Sequence, residues 1–187
     1  DSALEPIIQG SGSAMINPYR VDCPLTQITE RAGAGFDVRH LPSESASKAA
    51  VEAARDADVT IVFAENEKSR HGEGNDRDTL RLAAGEAAII QALADAGRRV
   101  IVILSMPDAV EAPWIDGVDA VLACFYPGQG GGEAIAQILF GERNPCGKLS
   151  ATMPVRIEDI PGWHTYPGEH GRHLYSEGIF VGYRFYD

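Results

Sequence analysis

The sequence predicts an α/β fold: a doubly wound, mostly parallel sheet flanked by helices in a three-layer sandwich, with an irregular C-terminal tail. Three observations predict it. Apolar runs recur at Val59–Ala64, which is rich in β-branched residues, Arg99–Ser105 and Ala120–Tyr126, each short and bounded by polar or turn residues, as buried strands are. Their apolar character is continuous rather than alternating, which suits parallel strands covered on both faces. Segments with apolar residues at helical spacing lie between and after them, and strands alternating with helices at this interval point to a doubly wound sheet.

Taken in order, residues 1–22 are rich in Gly, Ser, Pro and Asn and read as loop. Pro24–Ala32 is a helix with Leu25, Ile28 and Ala32 on one face. Phe36–Leu41 alternates as a half-buried strand would. Ser43 or Ser45 can cap the next helix, Ala46–Arg55, whose packing face is Ala49, Ala50 and Ala53. After the first apolar strand comes a charged loop, then a helix over Leu82–Ala96 with Gly97 as its stop. A short helix is predicted around Val110–Ile115, and another over Glu133–Phe140. Asn144–Gly147 is turn chemistry, and Leu149–Met153 is expected to be a last strand. The α/β unit is thus expected over residues 1–153. Residues 154–187, rich in Pro, Gly, His and aromatics, are expected to form an extended tail wrapping the surface.

With 187 residues the chain can bury a real core. A net charge of −11 argues against a nucleic-acid or anionic-membrane partner, since either needs a basic face. No apolar run approaches the length of a membrane span, and the N-terminus shows no basic-then-apolar signal pattern. Asp1–Glu5 reads as the middle of a longer protein, and compartment is left open. Cys23, Cys124 and Cys146 are odd in number and widely spaced, with no metal-type pairing, and Cys124 reads as a buried thiol. His164, His170 and His173 fit no zinc spacing. Neither a metal nor a cofactor is expected.

The chemistry concentrates in His71–Arg77. This stretch leaves the C-terminal end of a strand, the edge where ligands bind in open α/β sheets. Two glycines flank a single carboxylate, Glu73, so the backbone turns tightly and another surface can come close. A glutamate held that way suits general acid work. The plainer reading is a solvated acidic loop of Glu65, Glu67, Glu73 and Asp76 with Arg77 as partner. Pro127–Gly132 sits between a strand and a helix, but Gly128-x-Gly130-x-x leads to Glu133 rather than glycine. Tight backbone packing therefore outweighs dinucleotide binding there. Trp163, Tyr166 and Tyr175 could line a sugar platform, although packing against the body is the more frequent role for tail aromatics.

Gly72-Glu73-Gly74-Asn75-Asp76-Arg77 followed by Leu80-Arg81-Leu82 resembles the Gly-Glu-Gly-x-Asp-Arg…Leu-x-Leu segment of glycoside hydrolase family 3. Pro127–Ala136, Leu139–Leu149 and Tyr175–Arg184 match further family segments in the right order, and Gln9–Ser13 fits its start. The set spans nearly the whole chain. The resemblance implies the C-terminal α/β sandwich domain of a β-glucosidase-like enzyme, acting on a carbohydrate by retaining hydrolysis. It assigns the acid/base to Glu73, a sugar contact to Ser13 and support of the loop to Asp76 and Arg77. It puts the nucleophilic aspartate on a separate, usually preceding barrel domain, for which no stretch here is long enough. On this reading the chain is the second domain only, begins after that domain's first strand, and is inactive alone. A non-catalytic α/β binding module would share the fold without needing Glu73.

Overall fold

Three strands, β1 (Thr60–Glu65), β2 (Val100–Ser105) and β3 (Ala120–Phe125), form a parallel sheet in the order β1-β2-β3 in the computed structural model, which describes residues 2–42, 47–66, 77–83 and 85–186. Each lies within a residue of its predicted span. Val62, Val102 and Val121 stand side by side, as do Ala64, Leu104 and Ala123, so one face of the sheet is uniformly aliphatic. Ile101 and Ile103 of β2 point to the other face, so the middle strand is apolar on both sides. That explains its unbroken apolar run.

The helices are α1 (Pro24–Ala32), α2 (Ser47–Ala53), α3 (Glu86–Asp95), α4 (Gly131–Leu139) and the short α5 (Tyr183–Tyr186). Helices α2 and α3 pack together, and α3 lies on β1 and β2, while α1 pairs with α4. The core combines Ile90 and Leu93 of α3 with Val100, Val102, Leu104, Met106, Val110 and Trp114. Steps from β1 to β2 and from β2 to β3 run in the same direction, so right-handed crossovers put both connections on one face. Trp114, fully buried with the α3 residues, comes from the second of them.

Local chemistry sets the helix limits. Pro24 occupies the first turn of α1, where its missing N–H costs nothing. At the end of α3, Gly97 takes φ 64° while its N–H bonds Ala94 and that of Arg98 bonds Leu93. This is a Schellman stop, which the left-handed residue makes available. Helix α4 ends the same way at Gly141.

Several expectations are corrected. Phe36–Leu41 forms no strand: Phe36 has extended φ and ψ but is 66% exposed, its ring set edge-on to Phe140 at 5.7 Å. The segment has no ladder partner among the described residues. Leu149–Met153 is not a strand either; Met153 docks on the crossover, where its sulfur accepts the Val110 N–H at 3.4 Å. Val110–Ile115 is not a helix, because Pro113 excludes helical geometry before it, and a 3₁₀ turn follows at Ile115–Gly117. Helix α3 starts later than Leu82, since the Ala83 N–H is drawn to the Glu65 carbonyl at the end of β1. Helix α2 packs through Ala50 and buries Ala54 just beyond it, leaving Ala49 and Ala53 exposed. Ser43, Ser45 and Ala46 lie outside the described residues. Among the described residues, no helix is long and apolar enough to cross a membrane.

The Pro127–Gly132 turn is a packing device. A Cβ on Gly132 would sit 2.6 Å from the Asp22 carbonyl oxygen, and the Asp22 N–H bonds the Gln129 carbonyl. The glycines let the N-terminal segment lie directly on the start of α4. Gly132→Ala is therefore expected to lower stability by ~1–3 kcal/mol, as overpacking does, read as a fall in the urea midpoint.

Cys124 on β3 is half-buried, and burial pushes its thiol up to about 11 from 9.0. A thiol raised in the fold favours the folded state fully below pH 9 and loses that contribution as pH rises through 11. Thiolate is the reactive form. At pH 8, iodoacetamide should label the exposed Cys146 well before Cys124, with peptide mapping as the readout.

Candidate functional site at the C-terminal edge of the sheet

Parallel strands deliver their C-terminal ends to one edge, and the polar residues of this chain gather there. Strand β1 ends in Glu65 and Asn66, both buried. The Glu65 N–H donates to a Glu86 carboxylate oxygen at 2.7 Å, and Asn66 Nδ2 donates to the Arg81 carbonyl at 3.1 Å. The end of β1 is thereby tied to the segment that returns toward α3.

Arg77 stands across this edge. Its side chain is 10% exposed, and Nη2 donates to an Asp108 carboxylate oxygen and to the Ala109 carbonyl at 3.1 Å. Nη1 is buried, with no hydrogen-bond partner among the described residues. Asp108 and Ala109 follow the end of β2, so the returning chain is clasped to that strand's exit. Glu111 extends the clasp: its own N–H bonds the Leu80 carbonyl, and its carboxylate takes Arg81 Nε at 3.1 Å and the Ile157 N–H at 2.8 Å. One buried acid links the returning segment, the crossover and the start of the tail.

Strand β3 completes the edge. Its register shifts opposite Leu104 and Ser105, and Phe125 adopts φ 51°, uncommon for a bulky residue. Tyr126 follows. Burial raises its hydroxyl pKa, while the Arg77 charge lowers it and the Asp108 charge raises it, so the tyrosine feels the clasp directly. A Cβ on Gly10 would meet the Tyr126 ring at 3.3 Å. The Gln9 side chain closes its own loop by bonding both the N–H and the carbonyl of Ile16, and the Ile8 carbonyl accepts the Gly128 N–H. Ser13 is exposed within this loop, on the 3₁₀ turn Gly12–Ala14.

The four predicted site residues thus divide. Ser13 and Arg77 are brought to the same edge by way of Tyr126. Glu73 and Asp76 lie outside the described residues. Asn66 and Arg77, which bound the 67–76 stretch, are both fastened to the edge. Sequence reading overlooked Asp108, Glu111 and Tyr126; the only signal was their place just after a strand. Among the described residues, no cluster of metal-ligating side chains occurs. Of the tail aromatics, Trp163 is 37% exposed and Tyr166 53%, while Tyr175 is 82% exposed and meets His173 edge-on at 4.9 Å.

Sequence and fold comparisons agree on what this architecture is. Residues 1–183 match the glycosyl hydrolase family 3 C-terminal domain. An exo-alpha-(1->6)-L-arabinopyranosidase of Bifidobacterium breve is 37% identical over 99% of the chain, and thermostable beta-glucosidase B of Acetivibrio thermocellus is 37% identical over 98%. The GH3 beta-glucosidase of Bifidobacterium adolescentis superposes over 100% of the chain with a TM-score of 0.82 at 36% identity. Beta-glucosidase 3B from Thermotoga neapolitana, in complex with glucose, gives 0.82 at 29% identity. The chain belongs to glycoside hydrolase family 3 and is its C-terminal domain. It spans 25% of the length of those two curated relatives.

Glu111 gives a stability test of the clasp. Glu111→Ala leaves the Ile157 N–H unpaired and should cost ~1–3 kcal/mol. Arg81→Ala removes a largely exposed partner and should cost less than about 1 kcal/mol. Chemical denaturation of both variants checks the order.

Proposed function

We propose that this domain supplies the general acid/base of a retaining β-glycosidase that removes terminal β-linked sugars, with Glu73 in that role. The supporting observation is the position of the loop's two posts. Asn66 and Arg77, which bound the stretch containing Gly-Glu-Gly in the sequence, are both fastened at the strand edge that also presents the Ser13 loop, where a second domain carrying the nucleophile can complete the site. Ser13 contacts the sugar, and Asp76 and Arg77 hold the loop in shape. The tail, residues 154–187, lies extended over the surface of the 1–153 unit.

In the first step the nucleophilic carboxylate of the barrel domain bonds to the anomeric carbon. The bond from that carbon to the leaving oxygen breaks, and its electron pair takes the proton of Glu73. In the second step Glu73, now a carboxylate, takes a proton from water. The water oxygen bonds to the anomeric carbon, and the nucleophile leaves. The two carboxyl groups must stand roughly 5 Å apart, so Glu73 is useful only when the domains are docked. The isolated chain, without a nucleophile, is inactive.

Hydrolysis of aryl β-glucosides and arabinopyranosides by the full-length protein tests this. Glu73→Ala should lower kcat/KM for aryl glycosides with poor leaving groups by ~10²–10⁴, the usual worth of acid/base catalysis. On an aryl glucoside with a good leaving group, where the second step limits, added azide should partly restore kcat by replacing water in that step. Unchanged activity would make Glu73 incidental and leave a binding module as the better description.

A further inference from the structure

The end of the tail is ordered, yet its large apolar side chains stand in water. Tyr175, Ile179, Phe180, Val181, Tyr183 and Phe185 are each half or more exposed. Ser176, Glu177, Gly178, Gly182 and Arg184 are all that stand between them. The backbone beneath is held in turns. The Phe180 N–H bonds the Glu177 carbonyl at 2.9 Å, and the Phe185 N–H bonds the Gly182 carbonyl at 3.1 Å. The Tyr186 hydroxyl donates to the Asp159 carbonyl at 2.8 Å, and a Cβ on Gly162 would meet Glu177 Oε1 at 3.2 Å. The last stretch is thus fastened to the first part of the tail. Fixing a backbone costs conformational entropy, which side chains left in water do not offset. Monomer surfaces rarely concentrate so much apolar area. Aromatic residues with an arginine and few other charges are instead the make-up of an interface core.

The place where the tail leaves the body points to what covers this surface. Glu111 bonds the Leu80 carbonyl through its own N–H and accepts the Ile157 N–H at its carboxylate. The tail therefore starts at the edge where the strand exits and the Ser13 loop gather, and a domain that completes the site there meets the tail as well. The chain spans 25% of the length of the arabinopyranosidase and of beta-glucosidase B, so such enzymes carry ample further structure. A second copy of this chain fits less well. Two copies at −11 each repel, and Glu177 and Arg184 are the charges within Tyr175–Phe185 that could offset it. We propose that Tyr175–Phe185 is the docking surface for the nucleophile-bearing domain of the same polypeptide. The proposal rests on the two-domain reading of the site above and adds the surface that joins the halves.

Hydroxyl-radical footprinting of the full-length protein reads the burial without any substitution. Tyr175, Phe180 and Tyr183 should be oxidised about fivefold or more slowly than in a synthetic peptide of residues 174–186, because interface cores pack as densely as protein interiors. Weaker protection overturns the proposal. Protection that disappears as the enzyme is diluted from dimer to monomer overturns it in favour of a second copy. Tyr183→p-benzoylphenylalanine in the full-length protein, irradiated at high dilution, identifies the covering domain. The 2-deoxy-2-fluoro derivative of whichever aryl glycoside the enzyme hydrolyses traps the nucleophile as its glycosyl ester and marks that domain independently. The cross-link should fall in the marked domain. A cross-link to residues 1–153 or to an unmarked domain sinks the proposal. A trapped carboxylate outside residues 1–187 with an unprotected tail sinks only the docking surface. A protected tail with no trapped carboxylate outside residues 1–187 sinks the two-domain site, and the choice of partner with it.

Discussion

The structure depends on keeping β2 dry on both faces. A parallel strand has neighbours on each side and must be covered above and below. Val100, Val102, Ile103 and Leu104 meet that demand almost completely. One face is closed by α3 and by the crossover that carries Trp114, which together form the core. The opposite face is covered less fully, since Ile61, Phe63, Ile101, Leu122 and Cys124 are only half-buried. On that face Ile103 of the central strand is the residue fully removed from water.

A sheet built this way fixes where polar residues can go. They are excluded from the strand interiors and collect where the strands end, and the parallel arrangement puts all three exits on one edge. Glu65 and Asn66, Ser105 and Asp108, and Tyr126 are the polar residues at or just after the ends of β1, β2 and β3. Their surroundings are well supplied with backbone donors and acceptors, so the edge is stitched rather than loose. Asn66 and Arg77, which bound the 67–76 stretch, are both tied into this edge.

The Pro127–Gly132 turn shows how one motif can suggest two functions that packing then separates. Glycines between a strand and a helix resemble a phosphate cradle. Here the space that a side chain would take is filled by the Asp22 backbone, 2.6 Å from where a Cβ would stand on Gly132. The turn instead holds the N-terminal segment, through Ile8, Tyr19 and Asp22, over the end of β3. That is how the Ser13 loop reaches the same edge as Arg77.

Much of the fold was legible in the sequence because its causes are local. A short apolar run bounded by polar or turn residues marks a buried strand locally, so all three strands of the described sheet were located within a residue. Proline at a first helical turn and glycine after a last one act through their own backbone, so Pro24 and Gly97 marked helix limits correctly. Failures arose where a local pattern needed a distant partner. Phe36–Leu41 had the alternation of a strand but nothing among the described residues to pair with, and Met153 went to the crossover instead. For the site, motif order pointed to the family and to the loop, and strand exit pointed to the edge. Only the tertiary structure brought Arg77 to Asp108, Gly10 to Tyr126, and Glu111 to Ile157. Those contacts join residues dozens of positions apart. Nothing in the local chemistry of either partner specifies the other; the packing of the sheet and its crossovers does.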